Sequence, residues 1–391
     1  MNSKNFINYH VLFSHSPSCL NRDDMNMQKS AVFGGMKRIR ISSQSLKRAM
    51  RKSQYYEDLF SISCRTRYLI DKSVEKVTKE EGVDLKAAES AGLILAALIE
   101  GKTKPDEIKK YKRNGDSGKI QHQVVPFNNK EMIALEGLVR DLALIPDNKR
   151  IDEAKRRFKK VQAEAYKSMD LDVALAGRMA TSDLSYGSDG ALAVAHAITT
   201  HAVEPQDVDW FTAVDDLTCD AGETGAAHLN TQEFSAGVFY RYASLNLKQL
   251  QMNLGLLENM KSTETPKTRK RALEIGKHVF HLLTTVIPVA KRQPFAADNP
   301  ADFSIVSFAD IPLSLANAFE EPVSRSSHGG YLQPSISAIL NYWKTITDFH
   351  SLQENAVVAS TRPFECPAGL NDLKSLVALE GWIENDGITK A

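Results

Sequence analysis

Four cysteines in 391 residues, Cys19, Cys64, Cys219 and Cys366, stand far apart with no C-x-x-C pair among them. That spacing supports neither a disulfide framework nor a structural zinc site. No stretch reaches the roughly 18 uninterrupted apolar residues of a membrane span. The opening MNSKNFINYH lacks a basic start followed by an apolar run and a cleavage site. A cytoplasmic protein without a membrane partner is expected. The motifs G-x-x-x-x-G-K-[ST], G-x-G-x-x-G and H-E-x-x-H are all missing, which argues against nucleotide hydrolysis and zinc-dependent proteolysis. His196 with His201, and His278 with His281, have no nearby acid at ligand spacing. Adjacent Asp215 and Asp216 would face opposite sides of a strand. No catalytic site, metal or cofactor is expected, and the chain reads as non-enzymatic.

Net charge is also nearly absent, since 49 Lys and Arg against 48 Asp and Glu leave +1. Yet between Asp24 and Glu57 the chain carries Lys29, Lys37, Arg38, Arg40, Lys47, Arg48, Arg51 and Lys52 with no acidic residue. Positive charge concentrated in a balanced chain points to a phosphate-rich partner held at one place. In ISSQSLKRAMRKS, Ser42 or Ser43 caps a helix whose apolar side is Leu46, Ala49 and Met50. At about 100° per residue, Lys47, Arg51, Arg48 and Lys52 then share the opposite arc. Ahead of the helix, the Gly34-Gly35 turn and the alternation Arg38-Ile39-Arg40-Ile41 predict a strand that carries the charge onward.

Single-stranded nucleic acid also needs apolar or aromatic side chains to stack on or wedge between bases. Trp210 and Phe211, and Met179 beside Arg178, are the candidates. GVFYRY is aromatic but lacks the RNP1 pattern. Asp23 and Asp24 are the carboxylates that could activate a ribose hydroxyl beside bound RNA, although Asp next to Arg22 in an Asn/Ser loop also suits a turn.

The 42% hydrophobic content suffices for a sizeable core. Residues 6–14 alternate as a strand, with Ile7, Tyr9, Val11 and Phe13 on one face and polar Asn8 and His10 on the other. From about 55 to 162, charged and Ala/Leu-rich segments predict a helical insertion. Beyond it, LDVALAGRMAT reads as a strand and GALAVAHAITTH as a buried helix. DWFTAVDDL, the Gly-rich CDAGETGAAHLN and TQEFSAGVFYRYASLNL predict a protruding hairpin that returns into a core strand. Helices are expected near 267–285, 313–319 and 335–349, a strand near 303–308, and no pattern is assigned after 350. The fold class is α+β.

FINYHVLFSHSPSCLNRDDMNMQKSAVFGG with RIRISSQSLKRAMRKS, and then AGRMATS, AHAITTH, DWFTAVDDL, TQEFSAGVFYRYA, NPADF, PLSLANAFE and GYLQPSI, resemble in order the CasC-type backbone subunit of the type I-E CRISPR surveillance complex, Cascade. The resemblance implies a modified RRM-like (ferredoxin-like) palm from 1–55, 166–203 and 235–391. Into it would be set helical fingers over 56–165 and a thumb hairpin over 204–234. It further implies a non-catalytic subunit that polymerises with copies of itself along a CRISPR guide RNA and presents that RNA to a target DNA strand. The large, small and repeat-end-binding subunits would be its other partners. By motif match Arg22, Lys29, Ser42, Gln44, Lys47, Arg48 and Arg51 would contact the guide, and Met179, Trp210 and Phe211 would wedge against bases. Met36 stands where the family tends to be basic. Related backbone subunits of type III complexes cut RNA with a loop aspartate, which leaves Asp23 or Asp24 as the enzymatic alternative.

Overall fold

The computed structural model describes residues 4–24, 27–60, 62–166, 169–178, 187–203, 208–213, 228–288 and 296–389. The chain divides into two compact units, Met1–Asp58 with Ala193–Leu247 and Arg269–Ala391, and Leu59–Leu192 with Lys248–Thr268. Along the chain the strands are β1 (Phe6–Ser18), β2 (Ser30–Phe33), β3 (Met36–Ile41), β4 (Cys64–Thr66), β5 (Val125–Phe127), β6 (Leu192–Val194) and β7 (Ala197–Thr199). They continue as β8 (Val208–Ala213), β9 (His228–Glu233), β10 (Ser235–Asn246), β11 (Phe303–Ala309), β12 (Asn355–Ser360) and β13 (Leu370–Asp372).

The first unit is a mixed α+β structure on one sheet of order β13-β12-β11-β1-β10-β7-β3-β2, with β6 paired to β10 off that path. Along the path every pair is antiparallel except β12 with β13. β1 is central, running from Phe6↔Asn246 to Ser18↔Ser235 against β10 and from Phe6↔Ala309 to Leu12↔Phe303 against β11. Both its faces are covered. Tyr9 stacks on Phe280 and donates to the Gly276 carbonyl at 3.0 Å, which ties one face to the helix Pro266–Thr285. Leu12 on the other face joins a core with Tyr240, Phe319, Ile336 and Trp343.

Asn8 and His10 are therefore buried and must find partners. Asn8 donates to the Ile311 carbonyl at 3.1 Å and accepts from Tyr242 at 3.2 Å. Tyr240 accepts from the Leu315 N–H, so its own proton points to His10 Nδ1, 2.9 Å away. Burial holds the His10 pKa down at about 3 and keeps the ring neutral.

Two expectations are overturned. Residues Leu171–Ala176, read as a strand, form a short helix that ends at Gly177, φ +80°. The segment read as a buried helix is instead β6 and β7, because Ile198 is claimed by Arg40 of β3 on one side and by Tyr240 of β10 on the other. Sheet partners far away in sequence outweighed the local Ala-rich spacing. The tail left unassigned supplies β12, β13 and the helix Leu376–Glu384.

The second unit is mostly helical, with its own core of Ile70, Leu95, Leu135, Phe158 and their neighbours. Asp84 and Asn128 cap the helices Leu85–Ile99 and Asn129–Ala143 by accepting from Ala87 and Glu131 N–H groups at 2.9 and 2.7 Å. Glu131 is buried against Arg178, whose Nη1 lies 3.0 and 2.9 Å from its two carboxylate oxygens.

Candidate nucleic-acid interface

The basic segment folds as a hairpin, a bent arm and a helix, all in the first unit. β2 and β3 pair from Ser30↔Ile39 to Phe33↔Met36 around Gly34 and Gly35, whose φ values of +58° and +73° suit a tight hairpin turn. Before them, residues 21–24 and 27–29 pair with one another. Arg22 bridges Gln28, and the Lys29 N–H donates to the Asn21 carbonyl at 2.9 Å. The Asp23 N–H donates to the Met27 carbonyl, while its Oδ1 accepts from the Met27 N–H at 2.9 Å. Asp23 is thus engaged in building the turn, and Asp24 lies exposed on it.

The helix α1 (Ser43–Arg51) starts at Ser42, which has extended backbone and whose Oγ accepts from the Ser45 N–H. The Ser42 N–H donates to Asn21 Oδ1 at 2.8 Å, so the cap is held by the arm. Leu46 and Met50 are buried beneath α1. On its other side Gln44 and Arg48 are exposed, and Lys47 and Arg51 are half-buried. Lys52, just past the helix, reaches Glu57 at 3.8 Å.

His196, which its spacing to other histidines gave no reason to select, sits at the start of α1. Its Nδ1 accepts from the Ser43 N–H at 3.3 Å and lies 3.2 Å from Arg40 Nη1. Two donors on Nδ1 leave the proton on Nε2 and give the exposed ring a donor for an anion. Burial, then the charges of Arg40 and Lys29, hold its pKa below the usual value. Lys29, Arg40 and His196 are therefore electrostatic neighbours, and α1 begins beside them.

Arg38 does not join this surface. β3 places Arg38 and Arg40 on one sheet face, but the 3₁₀ turn Ala316–Phe319 and Glu320 cover the first of them. At 0% exposure Arg38 donates to the carbonyls of Thr199, Phe319 and Glu320 at 3.1, 3.0 and 3.2 Å. Its candidacy as a backbone-phosphate contact gives way to a structural role. Lys37 near the hairpin tip is exposed.

The candidate wedges are not brought to α1 by anything described. Met179 lies outside the described residues. Trp210 and Phe211 belong to β8, which forms a separate two-stranded ribbon with β9 through Trp210↔Thr231 and Phe211↔Asn230. Among the described residues no group of three or more His, Cys, Asp or Glu side chains could hold a metal ion, and no helix is long and apolar enough to cross a membrane.

The family model described as CT1975-like protein matches residues 7–380. Comparison with curated protein sequences finds no match. Among solved structures, a chain of a "CRISPR RNA-guided surveillance complex, pre-nicking" superposes with a TM-score of 0.78 at 26% identity, over 98% of this chain and 100% of that one. A chain of a "CRISPR RNA-guided surveillance complex" gives a TM-score of 0.69 at 24% identity, over 97% and 99% of the two chains, and shares the fold.

Proposed function

The chain belongs to the CT1975-like protein family, and on that premise we propose that it is a subunit of a CRISPR RNA-guided surveillance complex that grips the guide RNA. The observation that carries this reading is the basic surface of Lys29, Arg40 and His196 running into Gln44, Lys47, Arg48 and Arg51 of the capped helix. Arg22 and Lys37 extend it, and Ser42 contributes by setting where α1 begins. Such a surface meets phosphates and leaves base edges free. A guide whose sequence changes from one spacer to the next requires that division of labour.

Within this reading the protein is the non-catalytic backbone subunit of a type I-E complex, polymerising along the spacer and presenting it to target DNA. The sheet unit serves as the RRM-like palm, the helical unit as fingers, and the β8–β9 ribbon as a thumb that brings Trp210 and Phe211, with Met179, against bases. Its partners are the guide RNA, the target strand, further copies of itself and the other subunits of the complex, in the cytoplasm. The engagement of Asp23 as a turn-building acceptor supports this reading over a type III-like RNA-cleaving one.

The test is co-purification. The chain, expressed with its neighbouring genes and a repeat-spacer array, is compared with Lys47→Ala/Arg51→Ala. Uniform guide-length RNA on the wild type, lost from the double variant, is expected. A wild type that holds no RNA refutes the proposal.

A further inference from the structure

The helical unit contains an open cleft of about 560 Å³ that the guide-binding surface does not use. Its size suits a small ligand or one nucleotide of a strand. Arg67, Lys110 and Lys112 line it, all three exposed, with Glu100 as the single acidic side chain in the lining. Among the described residues none of these three cations has a carboxylate within 4.0 Å, whereas nearby Arg113 is engaged by Asp71 and Glu89. Three cations without acidic partners around one concavity favour an anion there.

The cleft wall is built rather than loose. The His122 N–H donates to the Arg67 carbonyl at 3.1 Å, Gln123 Nε2 to the Ile99 carbonyl at 2.8 Å, and the Tyr111 hydroxyl to the Gln121 carbonyl at 2.6 Å. His122 is 3% exposed and packs edge-on against Phe127. Its Nδ1 lies 2.7 Å from the Gln123 carbonyl, which can only accept, so Nδ1 carries the proton. Burial pushes the ring's pKa down and keeps it neutral. Nε2 is then a buried acceptor, and it has no partner among the described residues. With no accessible surface, Nε2 lies inside the cleft's wall and not on its open face.

We propose that this cleft is a second nucleotide-binding site, holding a phosphate on Arg67, Lys110 and Lys112 and a base against Tyr111 and Val124. The half-buried Tyr111 ring and exposed Val124 supply apolar surface for a base. An acidic peptide would satisfy the cations but would leave that surface without a matching face, so a nucleotide is favoured. The inference does not depend on the guide-RNA reading, because none of its residues belongs to the sheet unit.

The test uses the full chain in a Lys47→Ala/Arg51→Ala background, which suppresses binding at α1. It is titrated with fluorescein-labelled ten-residue oligothymidylate, with ATP as competitor. Saturable binding is expected, weakened about tenfold or more by Lys110→Glu/Lys112→Glu, with a log-log salt slope shallower by about 1.4 for two lost phosphate contacts. Competition by ATP identifies a free nucleotide as sufficient, and binding that ATP does not displace identifies a nucleotide within a strand. Guide-RNA co-purification in the otherwise wild-type chain should be unchanged by Lys110→Glu/Lys112→Glu, which shows that the charge-reversed protein still folds. No binding, binding indifferent to that reversal, or displacement by oligo-aspartate but not by ATP or unlabelled oligonucleotide would overturn the proposal.

Discussion

Replacing Arg38 with alanine separates a structural cation from a ligand-binding one. The guanidinium joins β3 to β7 and to the turn at 319–320 through three hydrogen bonds of 3.0–3.2 Å with no water access. Each bond from a charged donor contributes about 1.5 kcal/mol net, so Arg38→Ala should destabilise the sheet unit by roughly 4 kcal/mol. For a unit of this size that corresponds to a fall in melting temperature of about 8–16 °C. Arg38→Lys keeps the charge without the fork and should recover about a third of the loss. Lys37→Ala, at an exposed position one residue away, should leave the melting temperature within about 1 °C. Calorimetry and urea unfolding read the stability. Filter binding to a guide-length RNA, run well below the melting transition, reads the affinity. If Arg38→Ala melted like the wild type and lost RNA as Lys47→Ala does, its guanidinium would lie on the ligand, and the inward assignment would be wrong.

Gly34→Ala should prevent the hairpin from seating, because at φ +58° its Cβ would stand 1.8 Å from the Glu320 carbonyl oxygen, whereas a Cβ at Gly35 meets nothing within 4 Å. Gly35→Ala should therefore cost only about 1–2 kcal/mol of backbone strain, and urea midpoints distinguish the two. His10 and His15 have pKa values pushed down from 6.5 to about 3 by burial, so the unfolded chain binds more protons than the folded one between those values. Stability should thus be complete above pH 6.5 and decline below it by roughly 1.4 kcal/mol per pH unit for each ring, measured by urea unfolding across pH. Asp23→Asn should leave a complementary RNA target as intact as the wild type does, and target cleavage that Asp23→Asn or Asp24→Asn abolishes would establish the enzymatic alternative. If about five phosphates are neutralised per subunit, the log-log salt slope for guide RNA should be roughly −3.5.

Much of this was legible in the sequence because local signals and tertiary demands coincided. Ser42 or Ser43 before an amphipathic run marked the start of α1, which the structure caps at Ser42, and the Gly34-Gly35 pair marked the turn ahead of β3. Legibility ended where a distant partner decided. Nothing near Arg38 in sequence announces the carbonyls of residues 319 and 320, and the same strand leaves Arg40 only half-buried. His196 becomes part of the basic surface only because β7 lies beside β3. Asn8 and His10 read only as the polar face of a strand, since a period of two cannot reveal that both faces of β1 are covered.

The position of β1 in the sheet also sets a timetable for synthesis. Once synthesised, β1 must wait for residues 235–246 on one edge and 303–309 on the other. Arg38 and the Gly34 turn likewise lack their ceiling until residue 320 exists. At typical translation rates of about 5–20 residues per second, that delay is on the order of 15–60 s. During it, an apolar strand and a run of unopposed cations are both unfolded and exposed. A partial chain therefore cannot present a finished basic surface, because His196 and residue 320 must both exist before it is assembled.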